Sequence, residues 1–237
     1  MPRGGGNPGV LLPFRPRRRK EAEMARTDVV KALIEDQGRL WSEEIGARID
    51  ADTPDAWFHW LLGAVLMSAR IGATQAAQAA GALKLEEMHT VQGVLDTDRE
   101  QRIRVLNENG YARFDNRGAD QIMAAAERVR DAYGGDLRRL RAEGGDAAGI
   151  RARLQAFDGI GAVGADIFAR EAQLVWDELF PTADDHALEQ ARALGLPDRP
   201  EELAQIAGGR ERYVRLIAAL TRAWLDGPTD RVKEAAA

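Results

Sequence analysis

The chain has no cysteine. That absence excludes disulfides, cysteine-ligated zinc and iron–sulfur clusters, and it is compatible with a cytoplasmic setting. No apolar run approaches the roughly 20 residues that a bilayer-spanning helix needs, so no membrane partner is expected. Period-two alternation of apolar and polar residues is missing and β-branched residues are sparse, which argues against sheet. Excess positive charge is missing too: 33 Lys and Arg stand against 38 Asp and Glu, a formal net charge of −5. There is no global attraction to nucleic acid, and any polyanion must meet a local basic surface.

What remains describes a globular helical protein. At 237 residues, with 45% hydrophobic and 30% charged, the chain can bury a real core as one large domain or two small ones. Residues 1–23 stand apart. Gly4-Gly5-Gly6, Pro8, Pro13 and Pro16 oppose a helix, and Arg15 to Lys20 is basic, so a disordered tail or a DNA-contacting arm is expected there. Glu21-Ala22-Glu23 follows the basic cluster where a signal peptide would place apolar residues. Ordered patterning begins just after Met24, a possible alternative start, with Val29, Val30, Leu33 and Ile34 on one helix face. Trp57 to Ala69 is apolar nearly all round and predicts a central buried helix, with Trp57, His59 and Trp60 in its core or at its rim. Helical patterns follow at 73–83, 86–95, 98–108, 119–133 and 149–157, then from Ala165 to about Leu179, from Asp184 to Leu194, and at 201–207 and 212–225. The expected fold class is all-α, ending in a flexible tail over 227–237.

Two stretches carry chemistry. In 154–171 an apolar helix end runs into Gly159-Ile160-Gly161, and a second helical pattern restarts with Ala165, Ile167 and Phe168. Glycine permits positive φ and close backbone approach, and the unpaired N–H groups that open the second helix suit a phosphate. Such a turn also joins many helix pairs that bind nothing. In Pro181-Thr182-Ala183-Asp184-Asp185-His186 the aspartates are good helix caps. The positive end of the helix dipole would keep a carboxylate there ionised, fit to stabilise an oxocarbenium-like sugar or to activate water. Arg70, Arg113 and Arg117 with Tyr111 and Phe114, and Arg138 and Arg139 nearby in sequence, can supply a basic, aromatic surface. Each arginine alone also fits a solvated face.

Taken together, these motifs resemble the helix-hairpin-helix base-excision DNA glycosylases of the endonuclease III type. The resemblance covers most of 27–195, and only the hairpin and the aspartate segment are specific. It implies a two-lobed fold. A helical barrel over 57–179 contains the hairpin 154–171, and 24–56 combines with 180–226 in the second lobe. It implies double-stranded DNA as partner and hydrolysis of the N-glycosidic bond of a damaged or mispaired base. Asp184 takes the catalytic position and Asp185 stands beside it. Gly159, Ile160, Gly161, Val163 and Gly164 would grip the backbone, Arg70 would probe the base stack, and Gly110-Tyr111 matches the turn whose side chain wedges into the duplex, with Arg113 beside it. Two departures matter. Val163 stands where the lyases of this family carry lysine, which implies a monofunctional enzyme. The family's four cluster cysteines are absent, so no cofactor and no metal are expected, and 196–226 must close its lobe by packing alone. Two alternatives stay open: a non-catalytic DNA-binding protein, and a lyase using a lysine from elsewhere, such as Lys84 or Lys31.

Overall fold

The computed structural model describes residues 16–237, with side chains from Glu23 onward. The most apolar segment of the chain sets the architecture. Thr53 caps a helix α3 (Pro54–Met67), its hydroxyl accepting from Ala56 N at 3.3 Å, and Pro54 sits in the first turn where no N–H is needed. From Ala56 to Leu66 every residue of α3 is buried, and Trp57, Phe58, Trp60, Leu61, Leu62 and Leu66 are fully so. Burying each contributes about 1.5–3 kcal/mol, which is why the fold condenses around this helix. His59 lies inside it rather than at a rim, with Nε2 2.8 Å from Ala80 O. Trp60 donates its indole N–H to Phe168 O at 3.1 Å, tying α3 to the hairpin's second helix.

Around α3 pack α2 (Trp41–Ile45), α4 (Ala73–Leu85), α7 (Asp115–Tyr133), α8 (Leu137–Gly144) and α10 (Ala162–Ala172). The short helices α5 (Val91–Leu95), α6 (Arg99–Leu106) and α9 (Ala147–Leu154) complete this set against α7 and α8. A second set forms on α13 (Arg210–Asp226), whose Tyr213, Val214, Leu216, Ile217 and Leu220 are buried. It comprises α1 (Pro16–Gln37), α11 (Asp185–Ala193), α12 (Pro200–Ala207) and α14 (Asp230–Ala236). The two sets meet along α10 and α13, and Glu43 and Glu44 of α2 pair across to Arg215 and Arg222 of α13. Glu171 of α10, fully buried, accepts from Trp41 N and Ser42 N at 2.8 Å each and so satisfies the open N-terminus of α2. Burial pushes its carboxyl up, against the pull of those two N–H groups. Trp41 lies between two guanidinium groups, Arg222 at 4.1 Å and Arg170 at 5.3 Å from its ring.

The described residues contain helices and no strand, so the fold is all-α. No described helix is long and apolar enough to cross a membrane. Several expectations need correction. Residues 1–15 lie outside the described part, but 16–23 are helical: α1 starts at Pro16 and runs through Met24. Proline is tolerated in a first helical turn because its missing N–H has no partner to lose. The flexible tail expected over 227–237 is instead capped by Thr229 and helical. Val232 is buried, Thr229 Oγ1 donates to Asp36 at 2.7 Å, and Arg231 pairs with Glu35 and Asp36 of α1. The hairpin's second helix stops at Ala172 rather than near Leu179, because Trp176 turns inward against Trp57, ring centroids 4.7 Å apart. Over 86–95 only Val91–Leu95 is helical; Glu87 takes a positive φ and Thr90 caps a fresh start. Within the segment 24–56, expected to join the C-terminal helices, α2 packs on α3 and α4 while its Glu43 and Glu44 pair with Arg215 and Arg222 of α13.

Candidate nucleic-acid interface

The hairpin joins α9 to α10. Gly159 has φ +88°, a conformation that disfavours any side chain, and Gly161 opens α10 in extended conformation with no side-chain cap. The first N–H groups of α10 therefore have no intrahelical partner, and nothing lies within 4 Å of where a Gly161 side chain would project. Val163, on that first turn, is 63% exposed. Gly161 and Val163 thus face outward, as a backbone grip requires. Ile160 and Gly164 do not. Ile160 is buried and anchors the loop, its N–H donating to Phe157 O at 3.1 Å. Gly164 is buried against α3, where a Cβ would fall 2.4 Å from Ser68 Oγ. Gly159 faces the side chain of Gln121, with its missing Cβ 2.5 Å from Nε2. The side-chain positions of these three residues are taken up by the packing of the hairpin, while Gly159 also lines the neighbouring cleft.

A cleft of about 370 Å3 opens beside the hairpin, between Gly159, the end of α3 and the start of α7. Arg70, Phe114, Arg117 and Gln121 line it. Arg70 and Arg117 are exposed, and among the described residues neither has a carboxylate within ion-pair distance. They concentrate positive charge at the mouth despite the acidic chain. Arg113 is exposed and lies over the Phe114 ring at 5.3 Å. Tyr111 cannot be a wedge: it is 1% exposed, its hydroxyl donates to Leu66 O at 2.9 Å, and burial pushes its phenol up to about 12. Its ring lies beneath Gly118, where a Cβ would approach it to 3.0 Å and crowd it. Arg138 belongs elsewhere, held by Asp136 at 2.7 Å and by Asp52 O at 2.9 Å.

The aspartate segment sits at the other end of α10. Arg170 lies nine positions beyond Gly161, about 13 Å along a helix rising 1.5 Å per residue. Its Nε donates to Asp184 Oδ2 at 2.8 Å, and the two side chains are only 9% and 8% exposed. Asp184 also caps α11, Oδ1 accepting from Ala187 N at 3.1 Å. Burial works to raise the Asp184 carboxyl, but the Arg170 guanidinium and the Ala187 N–H outweigh it and hold the group below the ordinary carboxylate range. It is ionised at neutral pH. Asp185, one residue on, is exposed, and His186 stacks on Trp224 with ring centroids 3.7 Å apart. Neither aspartate lines the Arg70 cleft.

Buried polar side chains hold this segment in place. Gln173, fully buried, clamps the backbone of one residue: its Nε2 donates to Thr182 O and its Oε1 accepts from Thr182 N, both at 2.9 Å. The same Nε2 reaches Arg170 O at 2.9 Å, so one amide ties the Arg170 backbone to the segment that leads into Asp184. Tyr213 of α13 donates to Thr182 O at 2.9 Å. Arg151 of α9 donates to Thr182 Oγ1 at 2.8 Å and pairs with Asp166 on α10, linking the hairpin to the aspartates. Motif reading missed Arg151, Arg170, Gln173, Tyr213 and Gln121. One signal was available: Arg170, Glu171 and Gln173 interrupt a run that is otherwise apolar from Ile167 to Trp176, and polar groups on a buried face need partners.

Three lysines have described side chains, and none lines the cleft. Lys84 donates to Gly46 O at 2.5 Å, Lys31 lies near Glu35 on α1, and Lys233 pairs with Asp230 on α14. Among the described residues no cluster of three or more His, Asp or Glu is assembled to hold a metal ion. No family model, no curated protein and no solved structure matches the chain.

Proposed function

We propose that this protein is a monofunctional base-excision DNA glycosylase of the helix-hairpin-helix type, which hydrolyses the N-glycosidic bond of a damaged or mispaired base in duplex DNA. The observation that carries the reading is the layout of α10. One end is a helix N-terminus without a side-chain cap, beside a cleft flanked by two arginines that have no ion-pair partner among the described residues; the other end holds a buried carboxylate in its ionised form. In this reading the first helix and α11–α14 form one lobe, the helices around α3 form the other, and DNA lies across both.

The chemistry follows from the charge of Asp184. Departure of the base leaves an oxocarbenium-like sugar, and a fixed carboxylate nearby favours that cation over the neutral ground state. Water adds at the anomeric carbon and loses a proton, and the base departs with one, so an abasic site and a free base are the products. Asp185, exposed at the first position of α11, is the second candidate for accepting the proton from water. Val163 brings no amine to the grip, and among the described residues the lysines Lys31, Lys84 and Lys233 do not line the cleft, which supports hydrolysis without a Schiff base and an intact strand.

One observation favours a second reading. The carboxylate of Asp184 is already paired with Arg170, which cancels part of its field, as expected of a DNA-binding protein that performs no chemistry. A panel of duplexes, each with one damaged base, separates the two. The glycosylase gives nicks only after alkali treatment. Nicks without alkali would mark a lyase, and no nicks on any duplex, alongside salt-sensitive binding, would establish the non-catalytic reading.

A further inference from the structure

Gln121 has no evident structural reason to be polar. It lies on α7 at the floor of the Arg70 cleft and is 6% exposed, and its amide makes no hydrogen bond with any described residue. Its polar atoms are not sealed from solvent, so the amide meets the cleft, where a Leu or Met at the same place would present only apolar surface. The hairpin has made room for it: with φ +88° and no Cβ, Gly159 lets the backbone lie against Nε2, where a methyl would fall 2.5 Å away. Space, shape and charge around the amide agree. The cleft, at about 370 Å3, falls in the lower range of small-molecule sites. Phe114 offers an aromatic wall, and Arg70 and Arg117 stand exposed at the mouth.

We propose that this cleft receives one unpaired nucleobase, whose hydrogen-bonding edge is read by the Gln121 amide while Arg70 and Arg117 hold the flanking phosphates. A primary amide presents a donor beside an acceptor, which complements the edges that bases expose once unpaired. Guanidinium groups supply the charge-assisted contacts that phosphates take. Neither Asp184 nor Asp185 lines the cleft, so the base seated there is read and keeps its glycosidic bond. The inference rests on the DNA-binding reading above, and the experiment separates the two.

The full-length protein is titrated with two duplexes by fluorescence anisotropy, one fully paired and one with a single base opposite a stable abasic analogue. Wild type binds the second more tightly. In Gln121→Met, which keeps the chain length and removes the amide, that preference shrinks about tenfold, the worth of one lost bidentate contact. An unchanged preference in the variant overturns the proposal, as does a wild type with no preference. Should Gln121→Met fail to fold by circular dichroism, Gln121→Glu keeps the shape and replaces the donor, with the same loss expected. If wild type binds neither duplex, the Gln121 side-chain amide is followed by NMR with millimolar deoxyadenosine monophosphate. A shift there keeps the nucleobase site and overturns the DNA-repair reading, and no shift overturns both.

Discussion

Replacing Asp184 with Asn removes one charge and keeps the shape. The Asn oxygen still accepts from Ala187 N–H, because Asn and Asp are equally good N-caps, so the start of α11 loses almost nothing. What disappears is the partner of Arg170, whose side chain is only 9% exposed. Breaking a buried ion pair from one side costs about 3–5 kcal/mol. The guanidinium keeps its place over Trp41, at 5.3 Å from the ring, so the loss should fall at the low end, about 3 kcal/mol. Asp184→Ala removes the cap as well and should lose about 1 kcal/mol more. Arg170→Met combined with Asp184→Asn takes away both charges, and most of the loss should be regained because an apolar replacement of a buried pair is often neutral. Urea unfolding at pH 7 reads all three. Asp184→Asn within about 1 kcal/mol of wild type, or a double variant no more stable than the single, would refute the ion pair as the structural role of Asp184. The consequence for enzymology is direct. Loss of base release in Asp184→Asn alone mixes chemistry with stability, and only the double variant isolates the carboxylate.

Four further outcomes are expected. Val163→Glu places an acid in the uncapped first turn of α10: the helix dipole should stabilise the fold by about 0.3–1 kcal/mol, while repulsion of phosphate abolishes duplex binding. A melt and an anisotropy titration read the opposite signs, and undiminished binding would remove α10 from the interface. Burial pushes His59 down from 6.5 to about 4, so below pH 6.5 the unfolded chain takes up a proton that the folded one refuses. Its contribution to stability is complete above pH 6.5 and is lost as pH falls toward 4, by up to about 3 kcal/mol; His59→Gln should flatten unfolding curves across that window. Gln173→Leu strands Thr182 N and Arg170 O, while Thr182 O keeps Tyr213, and should cost about 2–4 kcal/mol, whereas a melting temperature equal to wild type would deny the clamp. Borohydride with abasic duplex should trap no covalent adduct, and a trapped band would point to an amine at the site.

Legibility followed the physics of each element. The α3 helix could be read because every face is buried, so its pattern is simply apolar throughout. The hairpin and the Asp184 cap were readable because glycine and helix caps act locally, within a few residues. The α14 helix was hidden because, apart from the Thr229 cap, what orders it is Val232, Ala235 and the ion pairs with α1, nearly 200 residues away in sequence, which leave no local pattern. Tyr111 shows the limit of motif matching. Its position fits the wedge turn, but Gly118 opens a space beneath α7 that draws the ring into the core. Gln121, Arg170 and Gln173 escaped because a polar residue within a helix reads as a solvated face until its neighbours in space are known.

The most direct test of base excision is to measure free base released from a damaged duplex by wild type and by the Arg170→Met, Asp184→Asn double variant, matched in stability. Mass spectrometry of the low-molecular-weight fraction detects the product without relying on strand nicking. The account predicts release by wild type on at least one duplex and a fall of at least about a hundredfold in the double variant, the size expected when a charge that stabilises the transition state is removed. Equal release by the two proteins would contradict the role of Asp184, and no release by wild type from any duplex would contradict the enzyme.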